Sequence, residues 1–362
     1  IAALLLLLVT LFIRFAEPLG DPDLWWHMAL GDHLLKHHTL RPDHSIFSWT
    51  IADPNWVYNG WIPQIFFSVL YSLGGLALLH TSQYFFIAAI IVLFLYFIYR
   101  HHEPLNAFIL LAILMIGVCL HFNASLLKPE IFSIFFFALT VFLYFYSLSK
   151  EKNLFWMYPV IMLIWVNSHG SFIFGLTFLG VALAGELLNL LFKKQSLPGR
   201  MLRPFFVSVV LSFASTAITP YGPKWVLSIA GYFTDPQFMH QAKELIAYKS
   251  IFTFYHPAKY ILIMLAVSYA ALSIFLLVFK RYLNIASLLL NVVFIYLSFM
   301  YARSAFLYLP VWFFSMFYLI ALFQLTPRLS RLAPVFFVLF LIGSVWTIHW
   351  TIYYPQRYRN VG

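Results

Sequence analysis

The chain has 362 residues, of which 63% are hydrophobic and only 9% are charged. A soluble domain carries about 25% charged residues, so this composition excludes a protein that folds in water. The solvent of the folded chain must instead be lipid. The formal charge of +10 sits at the ends of apolar segments rather than in a stripe, which excludes nucleic acid as a partner.

Eleven apolar segments follow one another along the chain, and a helix needs about 20 such residues to cross a bilayer. They predict membrane spans over residues 1–16, 75–99, 105–122, 131–149, 154–168, 171–192, 204–219, 260–280, 283–301, 304–325 and 332–352. Because the chain begins at Ile1 rather than methionine, we expect the first span to be clipped. The predicted fold class is an all-α polytopic membrane protein, with one transmembrane domain over 1–352 and a short outward tail over 353–362.

Positive charge is divided unevenly between the connections. One set of short loops carries Arg100, Lys150, Lys152, Lys193, Lys194, Arg200, Arg203, Lys280, Arg281, Arg328 and Arg331. The positive-inside rule makes these loops cytoplasmic. The first loop (17–63), a second large loop (220–259), the short connections 123–130 and 167–170 and the turn near Tyr301 then face outward. Nine of the twelve acidic residues lie on that face, so acid–base chemistry is predicted there.

The first outward loop, residues 17–63, holds two apolar and aromatic segments. The pattern from Leu24 to His38 predicts a short helix, and Gly60 to Leu73 predicts a second one that leads into the next span. Tryptophan favours the headgroup region, and the loop contains Trp25, Trp26, Trp49, Trp56 and Trp61. We therefore predict two interfacial helices that form a lid over the outer mouth.

Asp21 and Asp23 stand two residues apart where the first span meets this lid. His27 follows in the same run and is a candidate for binding the substrate or its phosphate. One interpretation is a general base, because acids at a membrane mouth are costly to keep. The other is helix capping, with Asp21 as N-cap, Pro22 at the first helical position and Asp23 near the positive helix end. A divalent Mg²⁺ or Mn²⁺ on Asp21, Asp23 and Glu130 is also open, since carboxylates suit hard cations. The chemistry considered below does not require that metal.

Three further outward positions could meet a phosphate or a sugar. Lys128 could bind a phosphate with Glu130 beside it, although Glu130 also fits the first turn of an ordinary helix. Asn167 and His169 could bind sugar hydroxyls or phosphate oxygens, or they could satisfy the backbone of a tight turn. Arg303 either clamps an anion in fork geometry or extends to the headgroups.

These motifs are similar to those of a widespread group of uncharacterised bacterial polytopic membrane proteins. The matching residues are Asp21 to His27, Gly31-Asp32, Pro42-Asp43, Phe47-Ser48, Asn59 to Trp61, Leu73 to Gly75, Lys128 to Glu130, Trp165 to Gly170 and Thr219 to Gly222. That group resembles the GT-C superfamily of polytopic glycosyltransferases, which includes oligosaccharyltransferases, protein O-mannosyltransferases and aminoarabinose transferases. Relatives often carry an arginine where Lys128 stands. They also tend to continue into a small soluble domain after the last span, where this sequence stops at Gly362.

The resemblance implies a glycosyltransferase of the bacterial plasma membrane with its active site facing outward. The implied donor is a polyprenyl-phosphate-linked sugar, and the acceptor is a lipid, a glycan or a protein. GT-C enzymes carry an acidic motif in the first outward loop, which implies Asp23, and Asp21 second, as the base of an inverting transfer. Lys128, Arg303 and His169 would then surround the phosphate.

Two other functions remain open at this point. A transporter or flippase of a lipid-linked or small polar substrate would place charges within the spans, where Glu186 is the clearest example. A non-catalytic scaffold could keep the fold without turnover. The chain has no glycine-rich phosphate loop, HExxH motif or GxSxG elbow, so ATP-driven chemistry and serine or zinc hydrolysis have no support.

Overall fold

The computed structural model describes residues 2–16, 22–42, 47, 57–103, 106–124, 127–194, 197–234, 250, 252, 258–301 and 304–359. Within these residues every regular element is a helix. The helices are α1 (Ala2–Phe15), α2 (Asp23–Lys36), α3 (Trp61–Arg100), α4 (Ala107–Ala124), α5 (Glu130–Lys150), α6 (Met157–Val166), α7 (Phe172–Leu191), α8 (Gly199–Ser215), α9 (Lys224–Thr234), α10 (Ala258–Lys280), α11 (Ile285–Met300), α12 (Ala305–Leu322) and α13 (Ala333–Arg359). Two short turns, Thr326–Leu329 and Ser330–Leu332, lead into α13.

The chain is a helical integral membrane protein. Among the described residues, six helices are long and apolar enough to cross a membrane, namely α3, α5, α7, α10, α12 and α13. The other predicted spans coincide with the shorter helices α1, α4, α6, α8 and α11. The count of eleven spans therefore stays a prediction. The helix α9 lies within 220–259, where the sequence analysis predicts no helix.

Two helices form the centre of the bundle. In α5 and in α12, 89% of the most apolar stretch is buried, against 22% in α10 and 17% in α13. Both central helices are apolar on every side, which suits a helix surrounded by protein rather than one with a single buried stripe. They pack on each other, while α3 packs on α5 and α11 packs on α12.

The helix α3 is bent where the predicted lid meets the predicted span. Its hydrogen-bonded ladder runs from Trp61 to Arg100, but Gly74 and Gly75 leave the helical conformation. Gly75 has φ 61° and ψ −154°, a backbone conformation that residues with a side chain rarely adopt. The structure thus divides α3 at the predicted boundary, into an outer part before Gly74 and an inner part after Gly75.

The outer part of α3 packs closely against α2. A Cβ added at Gly31 would lie 2.0 Å from the carbonyl oxygen of Gln64, so only glycine allows this approach. Leu24, Leu30 and Leu34 of α2 are buried. The two helices predicted in the first loop are therefore confirmed as a packed pair.

Polar contacts join loops that the charge pattern assigns to the same face. On the predicted outward face, the amide of Asn59 donates to Asn167 Oδ1 at 3.4 Å. On the predicted cytoplasmic face, Arg200 pairs with Glu151. These pairings are consistent with the alternating order of the helices.

A buried carboxylate ties the helices together near the predicted cytoplasmic end. Glu186 accepts hydrogen bonds from the Tyr144 hydroxyl, from the backbone N–H of Leu197 at 2.9 Å and from the Asn189 amide at 3.5 Å. Asn189 Oδ1 in turn accepts from the backbone N–H of Ile285 at 2.7 Å. This network joins α5, α7 and the start of α11, which gives the acid in the predicted span a structural use.

Candidate functional site

Four segments meet at the predicted outward end of the bundle. They are the start of α2, the residues 57–64 that lead into α3, the start of α5 and the turn between α6 and α7. The backbone N–H of Ile62 donates to the carbonyl oxygen of Asn167 at 3.2 Å, so the α3 start and the α6–α7 turn are joined directly. Most of the residues singled out in the sequence lie in these segments.

Asp23 and Lys128 form an ion pair at this end of the molecule. The Lys128 ammonium donates to Asp23 Oδ2 at 3.1 Å, across 105 positions of sequence. The Asp23 side chain is 50% exposed and that of Lys128 is 25% exposed, so the carboxylate remains open to the surroundings. Pro22 occupies the N-cap position of α2, and no side chain caps that helix start by a hydrogen bond. Asp23 and Lys128, which the resemblance assigns to one active site, are thus in contact in the structure.

Asp21 and Arg303 lie outside the described residues. Their predicted roles, as second acid and as anion clamp, stay predictions.

A buried hydrogen-bonded group lies beside Asp23. The Gln64 amide nitrogen lies 3.2 Å from His27 Nδ1 and donates to the Tyr58 hydroxyl at 2.9 Å. Burial lowers the pKa of His27 to about 3, so the ring is neutral and its Nδ1 accepts from Gln64. Burial raises the pKa of Tyr58 well above its usual range; the Gln64 hydrogen bond opposes this, and the negative charge of Asp23 adds to it. His27, predicted to contact a ligand, is only 5% exposed and is used within the protein.

Glu130 is the first residue of α5 and is 6% exposed, so its predicted place in a first helical turn is confirmed. Nowhere in the described residues do three or more His, Cys, Asp or Glu side chains gather closely enough to hold a metal ion. The neighbour of Asp23 is an ammonium group, which competes with a metal for the same carboxylate. Since Asp21 is not described, the suggested Mg²⁺ or Mn²⁺ site stays untested, and no step below depends on it.

Asn167 joins three parts of the chain through its side-chain amide. Its Oδ1 accepts from the Trp61 indole at 2.9 Å and from Asn59 at 3.4 Å. Its Nδ2 donates to the carbonyl oxygens of Leu163 and Ile218, each at 2.9 Å. The geometry favours the structural interpretation of Asn167, because both ends of the amide are bonded to protein.

His169 lies in the same turn and contacts α5. Its Nδ1 is 3.0 Å from the Ser133 hydroxyl, and the backbone N–H of Ser171 donates to it at 3.3 Å. The Trp165 indole donates to that same Ser133 hydroxyl at 2.7 Å. Ser133 and Trp165 are fully buried, whereas His169 is partly exposed.

Three members of the site were missed in the sequence, namely Tyr58, Gln64 and Ser133. Trp165 belongs to a matching motif but was given no role there. Ser133 and Trp165 lie inside apolar runs, where they resemble ordinary core residues. One signal for Ser133 was available in the sequence: it stands one helical turn beyond Glu130, so the two residues share a side of α5.

An apolar groove opens beside the α6–α7 turn. It has a volume of about 580 Å³ and lies between the outer halves of α7 and α11. Its lining residues are Ile173, Phe174, Thr177, Val292, Val293, Tyr296 and Leu297. The Thr177 hydroxyl bonds to the carbonyl oxygen of Ile173 at 2.8 Å, so the groove offers mainly hydrocarbon. It begins two residues beyond Ser171, next to the polar turn that holds His169.

No protein-family model matches the chain, and a search of curated proteins finds no match. The resemblance to GT-C glycosyltransferases therefore stays a prediction from the sequence motifs.

Proposed function

We propose that this protein is a GT-C-type glycosyltransferase of the bacterial plasma membrane. In this proposal it transfers a sugar from a polyprenyl-phosphate-linked donor to an acceptor hydroxyl on the outward side. The observation that carries the proposal is the half-exposed Asp23 carboxylate paired with Lys128 at the mouth of the bundle. It places a candidate base and a candidate phosphate-binding cation 3.1 Å apart.

The reaction needs one base and one cation. The acceptor oxygen attacks the anomeric carbon, and the Asp23 carboxylate takes the hydroxyl proton as the new C–O bond forms. The bond from the anomeric carbon to the phosphate oxygen breaks, and the carrier phosphate leaves as a stable anion. No general acid is required, in contrast to glycoside hydrolysis, where two carboxyl groups share the work. Attack from the face opposite the phosphate inverts the anomeric centre.

Lys128 has two uses in this scheme. Its ammonium neutralises charge that grows on the departing phosphate, as positioned cations do in other transfer reactions. It also orients the Asp23 carboxylate through the 3.1 Å hydrogen bond. Arg303 would add a second cation.

The apolar groove between α7 and α11 supports a lipid-linked donor. A polyprenyl chain is hydrocarbon throughout, and a pocket of 300–1,000 Å³ is the usual size for a small-molecule ligand. The groove of about 580 Å³ starts next to His169, so a chain lying in it would direct its phosphate toward the polar turn.

The proposal predicts that Asp23→Asn abolishes transfer. General-base help is typically worth 10²–10⁴-fold, and the amide cannot accept the proton, so we expect at least a hundredfold loss. Purified protein would be incubated in liposomes with a panel of undecaprenyl-phosphate-linked hexoses and pentoses plus membrane extract as acceptor. Release of undecaprenyl phosphate would be measured.

Asp32→Asn is the matched control. Asp32 lies on the same helix and pairs with Lys36 at 2.7 Å, and both side chains are exposed. This variant should keep wild-type activity. Full activity in Asp23→Asn would contradict the base assignment. Movement of labelled donor across the membrane without product would instead favour a transporter.

A further inference from the structure

A chain of hydrogen bonds fixes the protonation state of His169. The Trp165 indole nitrogen can only donate, so the Ser133 oxygen accepts its proton at 2.7 Å. The Ser133 hydroxyl can then donate its proton to its other polar neighbour, His169 Nδ1, at 3.0 Å. Trp165 and Ser133 are fully buried, so water does not compete for their hydrogen bonds.

The backbone adds a second donor to the same nitrogen. The N–H of Ser171 lies 3.3 Å from His169 Nδ1. A ring nitrogen that accepts hydrogen bonds carries no proton, so in the neutral ring the proton lies on Nε2. Sequence distance hides this arrangement, because Ser133 and His169 are 36 positions apart.

The position of His169 gives this tautomer a use. Ser133 lies one turn beyond Glu130 on α5, and Lys128, which pairs with Asp23, lies just before the start of that helix. On its other side, the apolar groove begins at Ile173. His169 therefore lies between polar residues and an apolar surface, an arrangement that suits the phosphate of a lipid.

We propose that His169 binds the phosphate of the lipid carrier as a neutral Nε2–H donor, and that Ser133 and Trp165 are positioning residues that hold it in this tautomer. The identity of the ligand rests on the proposed function, whereas the tautomer rests on the hydrogen bonds alone. A neutral donor stabilises an oxyanion without giving up its proton, which suits a leaving phosphate that departs unprotonated.

The first test measures the tautomer directly. Protein labelled with ¹⁵N only at histidine would be studied by NMR in nanodiscs at pH 8, with His169→Phe used to assign the His169 signals. We expect an unprotonated Nδ1 and a protonated Nε2 in the wild type. A protonated Nδ1 would overturn the proposal.

The second test measures binding without catalysis, using undecaprenyl phosphate as the probe and undecaprenol as the same chain without phosphate. We expect His169→Phe to weaken binding of the phosphate about tenfold or more, and to leave undecaprenol binding unchanged. Ser133→Ala should weaken phosphate binding several-fold, and Ser133→Thr should restore it by returning the hydroxyl. Trp165→Phe should act in the same direction as Ser133→Ala, because it keeps a ring but loses the N–H.

Ser147→Ala is the control, since Ser147 is an equally buried serine on the same helix. It should bind the probe as the wild type does. Wild-type affinity in His169→Phe, or failure of the wild type to bind undecaprenyl phosphate, would overturn the inference. Binding that depends on His169 in a protein that transfers no sugar would remove the proposed function and leave this inference standing. If the wild type transfers sugar while His169→Phe and Ser133→Ala bind the probe normally, the proposed function stands and this inference fails.

Discussion

At the scale of single residues, buried imidazoles make the protein sensitive to acid. Burial lowers the pKa of His27 to about 3. Burial also lowers the pKa of His101 to about 4, against an opposing hydrogen bond to the Phe97 carbonyl oxygen. In the unfolded chain both rings would take up a proton near the ordinary histidine value of about 6.5. The unfolded state therefore binds more protons below that pH, and stability falls as the pH falls.

This linkage predicts a lower stability at pH 5 than at pH 7. His27 should remove about 2 kcal/mol over this interval, because its folded pKa stays below the whole range. His101, which is partly exposed, should remove somewhat less. In His27→Asn, the new Oδ1 can accept from Gln64 as Nδ1 does, but it does not titrate, so about half of the loss should disappear. Apparent thermal midpoints in detergent at the two pH values would show the difference.

His38→Asn provides the control, because His38 is exposed and its positive φ of 51° is tolerated by asparagine. Its loss of stability with acid should equal that of the wild type. An unchanged acid response in His27→Asn would mean that His27 does not stay neutral in the folded protein.

At the scale of helices, apolar runs and glycines predicted most boundaries, while chain-distant pairings were not predictable. The run ending at Leu73, followed by Gly74 and Gly75, marks the division of α3, because the positive φ of Gly75 favours glycine. By contrast, nothing in the linear order says that Asp23 meets Lys128, since the pairing depends on how α3 packs against both α2 and α5. The helix α9 was missed although its sequence, KWVLSIAGYFT, is amphipathic, because the run of 11 residues is too short to be read as a span.

The bend in α3 predicts a penalty for a side chain at Gly75. A non-glycine residue in this conformation costs about 1–3 kcal/mol, so Gly75→Ala should lower the free energy of unfolding by that amount. No protein atom lies within 4 Å of an added Cβ at Gly75, so the effect comes from the backbone alone. Denaturant titration in detergent would measure it.

Gly180 is the matched position, because it too has no protein atom within 4 Å of an added Cβ but lies inside the regular helix α7. Gly180→Ala should be neutral or stabilise by up to about 1 kcal/mol. Equal effects at the two positions would contradict the predicted backbone cost of a side chain at Gly75.

At the scale of the whole molecule, the arrangement has two chemically different ends. The predicted outward end holds the Asp23–Lys128 ion pair and His169. At the other end, the Glu186 carboxylate is buried and accepts hydrogen bonds from protein donors. The proposed function requires the first end to face away from the cytoplasm, since the carrier-linked sugar is expected there. The charge pattern predicts that orientation.

Cysteine labelling predicts a specific outcome for that orientation. Lys36 and Arg200 have nearly equal side-chain exposure, 70% and 68%, and they lie at opposite predicted faces. The native Cys119 is buried, so it should not react and provides a silent background. In right-side-out vesicles, a membrane-impermeant maleimide should label Lys36→Cys at once and Arg200→Cys only after permeabilisation. The unmodified chain should stay unlabelled in both conditions. Labelling in the opposite order would place Asp23 and its neighbours on the cytoplasmic side, where an outward acceptor could not reach them.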